Sequence, residues 1–260
     1  MSRLRFHAFS LFLFLCFCAW GQEQPFRAAV ASEDGFIAVG ERFARLDQEG
    51  IVLYEKPLEA PVVALCLWQG RLLALQADGS CLLELDAKGD VRDKLAAPPS
   101  RGRLRDLASD GSWLAGVTDE GEIVRSQDGF QWAVLDFNAS YESYYPRMDF
   151  RCVAAGSGSI MVAGVGEDGL PAAFVSSRGT VWSPRSLEVD GVLPSSAPEG
   201  LDYDAQADSF FLSFHNGGLL TLPGCTHCNA WETKASGPIY ARVRSASSVL
   251  LLTGSGMLTE

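Results

Sequence analysis

An all-β chain built from repeated four-stranded sheets is the fold class that this sequence predicts, on three observations. Apolar or β-branched runs of roughly four to eight residues alternate with turns rich in Gly, Asp, Asn and Ser, the signature of strands. The same marks return at an interval of about 40 residues. Beyond Gly21, no window carries helical periodicity. The chain has 260 residues, 47% of them hydrophobic and 20% charged, a balance that excludes wholesale disorder and a collagen-like fibre. Asp and Glu number 32 against 21 Lys and Arg, for a net charge of −11, which excludes a nucleic-acid backbone as the main partner.

The first element lies outside the fold. Arg3, Arg5 and His7 give a positive start, Ala8 to Cys18 is apolar apart from Ser10, and Ala19 and Gly21 stand at the −3 and −1 positions of a cut before Gln22. This pattern predicts a secretory signal peptide over residues 1–21, and its apolar run is short for a membrane span. Bulky residues before Cys16 argue against lipidation. The expected location is therefore periplasmic or extracellular, with no membrane association after cleavage. Loss of Arg3 and Arg5, and of no acid, would carry the net charge from −11 to −13.

The units follow in order at residues 27–58, 61–96, 103–137, 149–188, 198–234 and 239–260. In the third, strands are expected at Leu104 to Ala108, Trp113 to Val117, Glu122 to Arg125 and Gln131 to Asp136. Sheets of this size, each about 40 residues long, match the blades of a β-propeller, because one blade cannot bury both of its faces alone. Six blades is the count, with five and seven open. The last unit holds sequence for three strands, and Gln22 to Phe26 is expected to supply its outer strand, although Pro25 is a poor donor. The rhythm continues across the joints at Pro98–Pro99 and Pro194 to Pro198, so residues 22–260 read as a single domain.

Two units share a mark. Ser126, Asp128, Gly129 and Trp132 in one match Ser176, Gly179 and Trp182 in the next, with Arg178 in place of the aspartate. Here short polar side chains can bond nearby backbone N–H groups and glycine can take positive φ, so these residues read as turn clips rather than as ligands. The segment Gly116 through Trp132 resembles the BNR or Asp-box repeat of bacterial secreted propellers, and it is similar to the repeats of Ycf48-type photosystem assembly factors. The resemblance covers residues 104–188. It implies a propeller and leaves function among three classes: a protein- or glycan-binding scaffold, a sialidase-like glycoside hydrolase, or an assembly factor.

A sialidase-like site would require three arginines around a carboxylate, a tyrosine nucleophile with a glutamate partner, and an aspartate. Phe26–Arg27 and Phe150–Arg151 resemble the start of the sialidase arginine motif but continue as Ala28–Ala29 and Cys152–Val153, without isoleucine–proline. No reaction can be named from these residues, and nothing calls for a cofactor or a metal. Cys225-Thr226-His227-Cys228 is the one clustered-ligand motif, and in an exported protein it is expected to form a local disulfide. Cys66 and Cys152 sit in apolar runs and read as buried hydrophobes. Asn138-Ala139-Ser140 is a glycosylation sequon that opens the longest insertion. Within that insertion Tyr141, Tyr144, Tyr145 and Arg147 are the expected binding residues, since tyrosine adds contact area at low entropic cost. The leading expectation is a non-enzymatic exported propeller that binds a protein or a glycan, of open oligomeric state.

Overall fold

The computed structural model describes residues 25–223 and 229–260. It is an all-β propeller of six blades. The first comprises β1 (Phe26–Ser32), β2 (Gly35–Gly40), β3 (Arg42–Leu46) and β4 (Val52–Pro57), and the second β5 (Val62–Trp68), β6 (Arg71–Gln76), β7 (Cys81–Leu85) and β8 (Val91–Ala96). The third comprises β9 (Leu104–Ser109), β10 (Leu114–Thr118), β11 (Glu122–Ser126) and β12 (Trp132–Asp136). A single helical turn, α1 (Phe137–Ser140), leads to the fourth: β13 (Met148–Gly156), β14 (Ser159–Gly166), β15 (Pro171–Ser176) and β16 (Ser183–Arg185). The fifth comprises β17 (Pro198–Asp204), β18 (Ser209–Phe214), β19 (Gly218–Pro223) and β20 (Ala230–Thr233); the sixth holds β21 (Ile239–Arg244), β22 (Val249–Thr253) and β23 (Gly256–Thr259).

Every blade is an antiparallel meander, and each position within it has its own burial. The second strands β2, β10, β18 and β22 are buried at every residue, because neighbouring blades cover both of their faces. Their sequences accordingly read as continuous apolar runs rather than alternations. Outer strands such as β4 and β8 are largely exposed. The core thus lies in wedges between blades. Ala115, Val117, Phe150 and Phe174 fill the wedge between the third and fourth, and Met161, Leu201, Leu212 and Phe214 the next. Burying a valine, leucine, methionine or phenylalanine side chain contributes roughly 1.5–3 kcal/mol.

The innermost strands β1, β5, β9, β13, β17 and β21 follow one another around the axis, and β21 returns to β1. They all begin on one face of the ring, here called the upper face, which also carries the turns between second and third strands. Ring closure differs from the expectation in one respect. Phe26 begins the inner strand of the first blade, where it pairs with Gly40, and the Pro25 carbonyl accepts Glu41 N–H at 2.8 Å. These residues therefore do not extend the sixth blade, which has three strands among the described residues. Among those residues, too, no helix is long and apolar enough to cross a membrane.

Candidate functional site at the axial mouth

In all six blades the pairing between first and second strands skips one residue near the start of the inner strand. The skips fall between Phe26 and Ala28, Val62 and Ala64, Phe150 and Cys152, Pro198 and Gly200, and Ile239 and Ala241. In the third blade Leu104 pairs with Thr118 and Asp106 with Val117, leaving Arg105 over. A β-bulge re-aims the side chain of its extra residue and bends the strand. Repeated six times at one level, it makes a ring of Arg27, Val63, Arg105, Arg151, Glu199 and Tyr240. All six line an axial cavity of about 470 Å³. The apolar residues before the bulges, Phe26, Val62, Leu104, Phe150 and Ile239, are buried and anchor the strand starts.

Three of the six ring residues are arginines. The Arg27 guanidinium stacks over the Tyr240 ring at 4.4 Å from its centroid. Arg105 Nη1 donates to Asp149 Oδ1 at 2.7 Å and reaches the Phe150 carbonyl at 3.5 Å. Arg151 Nε lies 3.6 Å from Asp149 Oδ2, beyond hydrogen-bond reach, and this buried nitrogen has no hydrogen-bond partner. Glu199 Oε1 is turned to His215 Nδ1 at 2.9 Å. The Tyr240 hydroxyl lies beside Gly254, at 3.7 Å from where a Cβ would stand there. Guanidinium groups present planar pairs of donors suited to carboxylates, so the mouth can grip an oxyanion.

Two carboxyls line the wall below. Asp106 Oδ2 accepts Val153 N–H at 2.8 Å, and Asp202 Oδ2 accepts Arg242 N–H at 2.7 Å, each joining one inner strand to the next. Burial outweighs these bonds and pushes both carboxyls up to about 7. The Cys152 thiol is raised well above its usual range by burial and by Asp106, Asp202 and Glu199 nearby, and Cys66 is raised by burial and Asp106. Both are free, buried and unreactive in kind.

The tyrosine insertion divides in two. Tyr141 stacks on Phe137 at 4.6 Å, and its hydroxyl accepts Trp182 N–H at 3.0 Å. Tyr145 meets Phe174 edge-on at 4.8 Å. Tyr144 is 78% exposed, and Arg147 forms an exposed ion pair with Glu120 at 3.2 Å. The Asn138 amide donates to the carbonyls of Glu120 and Met148 and accepts Met148 N–H, so the sequon side chain ties the loop down.

The repeat marks lie away from the cavity. Ser126 Oγ accepts Gly129 N–H, and Asp128 Oδ1 accepts Phe130 and Gln131 N–H at 2.9 and 2.7 Å. Those bonds hold the Asp128 carboxyl below its usual range. Gly129 and Gly179 have φ of +73° and +67°. Ser176 Oγ accepts Arg178 N–H at 3.4 Å. Trp132 packs beside Trp68 and Leu107, whereas Trp182 is fully enclosed with Phe150 and Phe174. Cys225 and Cys228 lie outside the described residues. Among the described residues, no group of His, Cys, Asp and Glu is placed to hold a metal ion. In the sequence Arg27 and Arg151 stand out only as members of Phe–Arg pairs, and nothing there singles out Arg105. The strand starts share an apolar residue, a variable one and a small one in Phe26-Arg27-Ala28, Val62-Val63-Ala64 and Ile239-Tyr240-Ala241, but Leu104-Arg105-Asp106 departs from that pattern at its third position, so the pattern alone does not mark Arg105.

No family model matches this chain, and no curated protein matches it. Its fold is similar to a gluconolactonase from Xanthomonas campestris, with a TM-score of 0.67 at 15% identity, over 92% of this chain and 86% of that one. YCF48 from Cyanidioschyzon merolae gives 0.56 at 14% identity, over 90% and 81%, and the Pan2 WD40 domain of Neurospora crassa gives 0.57 at 11%, over 90% and 74%. At these identities the likeness is one of fold, and the chain is a six-bladed β-propeller.

Proposed function

We propose that this propeller is an exported, non-enzymatic binding module whose upper axial mouth takes a carboxylate-bearing glycan. One observation carries the reading: three of the six bulged positions around the axis are arginines, in a chain whose net charge is −11. A cavity of about 470 Å³ suits one or two sugar units better than a folded protein surface. Export rests on the leader-like residues 1–21, so the secreted protein should begin at Gln22 by intact mass. A protein partner on the same face, reached through exposed Tyr144, is the competing outcome.

The three arginines also favour a glycoside hydrolase of sialidase-like fold. Against that reading, Glu199 is engaged by His215 and the Tyr240 hydroxyl faces Gly254, so the two do not form a nucleophile–base pair. An array of acidic and neutral glycans, run beside a panel of fluorogenic glycosides, separates the two. The binding reading expects acidic glycans to be retained, retention to fall about tenfold or more in Arg151→Gln, and no turnover. Turnover abolished by Tyr240→Phe would replace it with the enzyme. Retention unchanged by Arg151→Gln and lost in Tyr144→Ala would move the site to the insertion.

A further inference from the structure

We infer that Asp149 is a built-in competitor for the ligand, a carboxylate of the protein seated on two of the three arginines that the ligand must engage. The inference rests on the carboxylate-binding reading of the mouth and adds what limits its affinity and selects its ligands. β13 starts two residues before its bulge-preceding Phe150, with Met148 opposite Gly166 and Asp149 opposite Val165, whereas the other inner strands begin their pairing at the residue before the bulge. The extension raises Asp149 to the mouth, between the third and fourth blades. There one oxygen takes Arg105 Nη1 from the neighbouring blade at 2.7 Å, and the other stands 3.6 Å from Arg151 Nε of its own strand.

The two contacts are unequal, and the inequality points to a placeholder. The Arg105 bond is charge-assisted and of normal length. The Arg151 contact is too long for a hydrogen bond and leaves that nitrogen buried without a hydrogen-bond partner, an unfavourable state. Asp149 itself is 41% exposed on its side chain, so it can swing away without opening the core. An incoming carboxylate with two free oxygens can satisfy Arg151 and take over Arg105, whereas a neutral sugar hydroxyl cannot displace the ion pair. Because Asp149 is tethered, its effective concentration at the arginines is high, which weakens each carboxylate that must displace it and shuts out ligands that cannot.

Asp149→Asn separates competition from mere positioning, because the two roles predict opposite signs. Competition expects glucuronate, followed by NMR titration of the full chain, to bind roughly tenfold more tightly to Asp149→Asn than to the natural protein. Glucose should bind neither protein, and the exposed Asp93→Asn should change nothing. A ligand-free measurement runs beside it: phenylglyoxal labelling, read peptide by peptide, should become several-fold faster at Arg105 and Arg151 in Asp149→Asn and stay unchanged at Arg92. Weaker glucuronate binding in Asp149→Asn, or labelling that does not change, would overturn the inference. Faster labelling with no glucuronate bound to either protein would uphold Asp149 as the occupant and sink the carboxylate-glycan reading instead.

Discussion

Asp106 holds its proton as a consequence of where the bulge puts it. An unfolded chain releases that proton near 3.8, while the folded wall keeps it to about 7. Folding therefore takes up a proton between those values, and the stability this group contributes is full below about 4 and falls as pH rises through 7. An asparagine at this position cannot titrate, yet its amide oxygen can still accept Val153 N–H. Asp106→Asn should accordingly gain about 1–3 kcal/mol on the natural protein in urea unfolding between pH 4.5 and 8. Parallel curves would place the carboxyl in contact with bulk water. Trp182 poses a different case at the same scale. Its indole nitrogen is buried without a hydrogen-bond partner, so only the ring area stabilises the fold there. Trp182→Phe should cost under about 1.5 kcal/mol, and Trp182→Ala about 3–5. Equal losses would mean that the indole N–H is satisfied.

Inner strands are tied blade to blade by single carboxylates, and Asp204 is the most enclosed of them. Its Oδ2 accepts Arg242 Nη1 at 3.1 Å and Arg244 Nε, joining β17 to β21, while the Arg242 guanidinium lies 3.7 Å over the Phe211 ring. Burial works to raise this carboxyl, but hydrogen bonds from Arg244, Ala207 N–H and Arg242 outweigh it and hold it low. Its contribution is therefore present above the ordinary carboxylate range and lost as pH falls below it. Asp204→Ala strands a buried guanidinium and should cost about 3–5 kcal/mol at pH 7 by chemical denaturation, with the deficit shrinking in acid. A loss under 1 kcal/mol would mean that water reaches Arg242.

The insertion between β12 and β13 answers to the same logic. Tyr141→Phe removes the acceptor of the half-buried backbone N–H of Trp182 and should cost roughly 1–2 kcal/mol, whereas Tyr144→Ala should stay within about 0.5. Thermal melts of both variants would show it. How much of this was legible varies with range. The turn at Ser126 to Trp132 could be read because Asp128 and Gly129 act on their own neighbours, and the strand limits of the third unit fell within a residue or two of those seen. The arginine ring could not be read that way, since a bulge is a relation between two strands. Nor does the sequence distinguish Tyr141, packed on Phe137, from Tyr144 in solvent, because the fourth blade decides which ring is covered.

A ring is as strong as its weakest wedge, and the wedge between the sixth and first blades is built differently from the rest. Phe36, Leu46, Leu250 and Leu252 fill it, and Gln48 accepts hydroxyl hydrogen bonds from Ser245 and Ser247 on its side chain and from Ser248 on its carbonyl. Thr259 Oγ1 donates to the Glu49 carbonyl beside it. These are adequate contacts, but the outer edge of β23 has no fourth strand among the described residues, and Leu258 is 45% exposed. The equivalent third strands β7 and β11 are each covered by an outer strand and are largely buried. Local opening follows the least-covered backbone, so β23 should open first and the seam next, ahead of any other wedge. Native-state hydrogen exchange should find β23 amides exchanging at least about tenfold faster than those of β7 and β11, a gap of about 1.4 kcal/mol. Phe36→Ala should then lower protection in β22 and β1 before it does so in β10, because the damage enters at the seam. Uniform protection across all six third strands would mean that the open blade is covered as well as the closed ones, and that the ring has no preferred place to part.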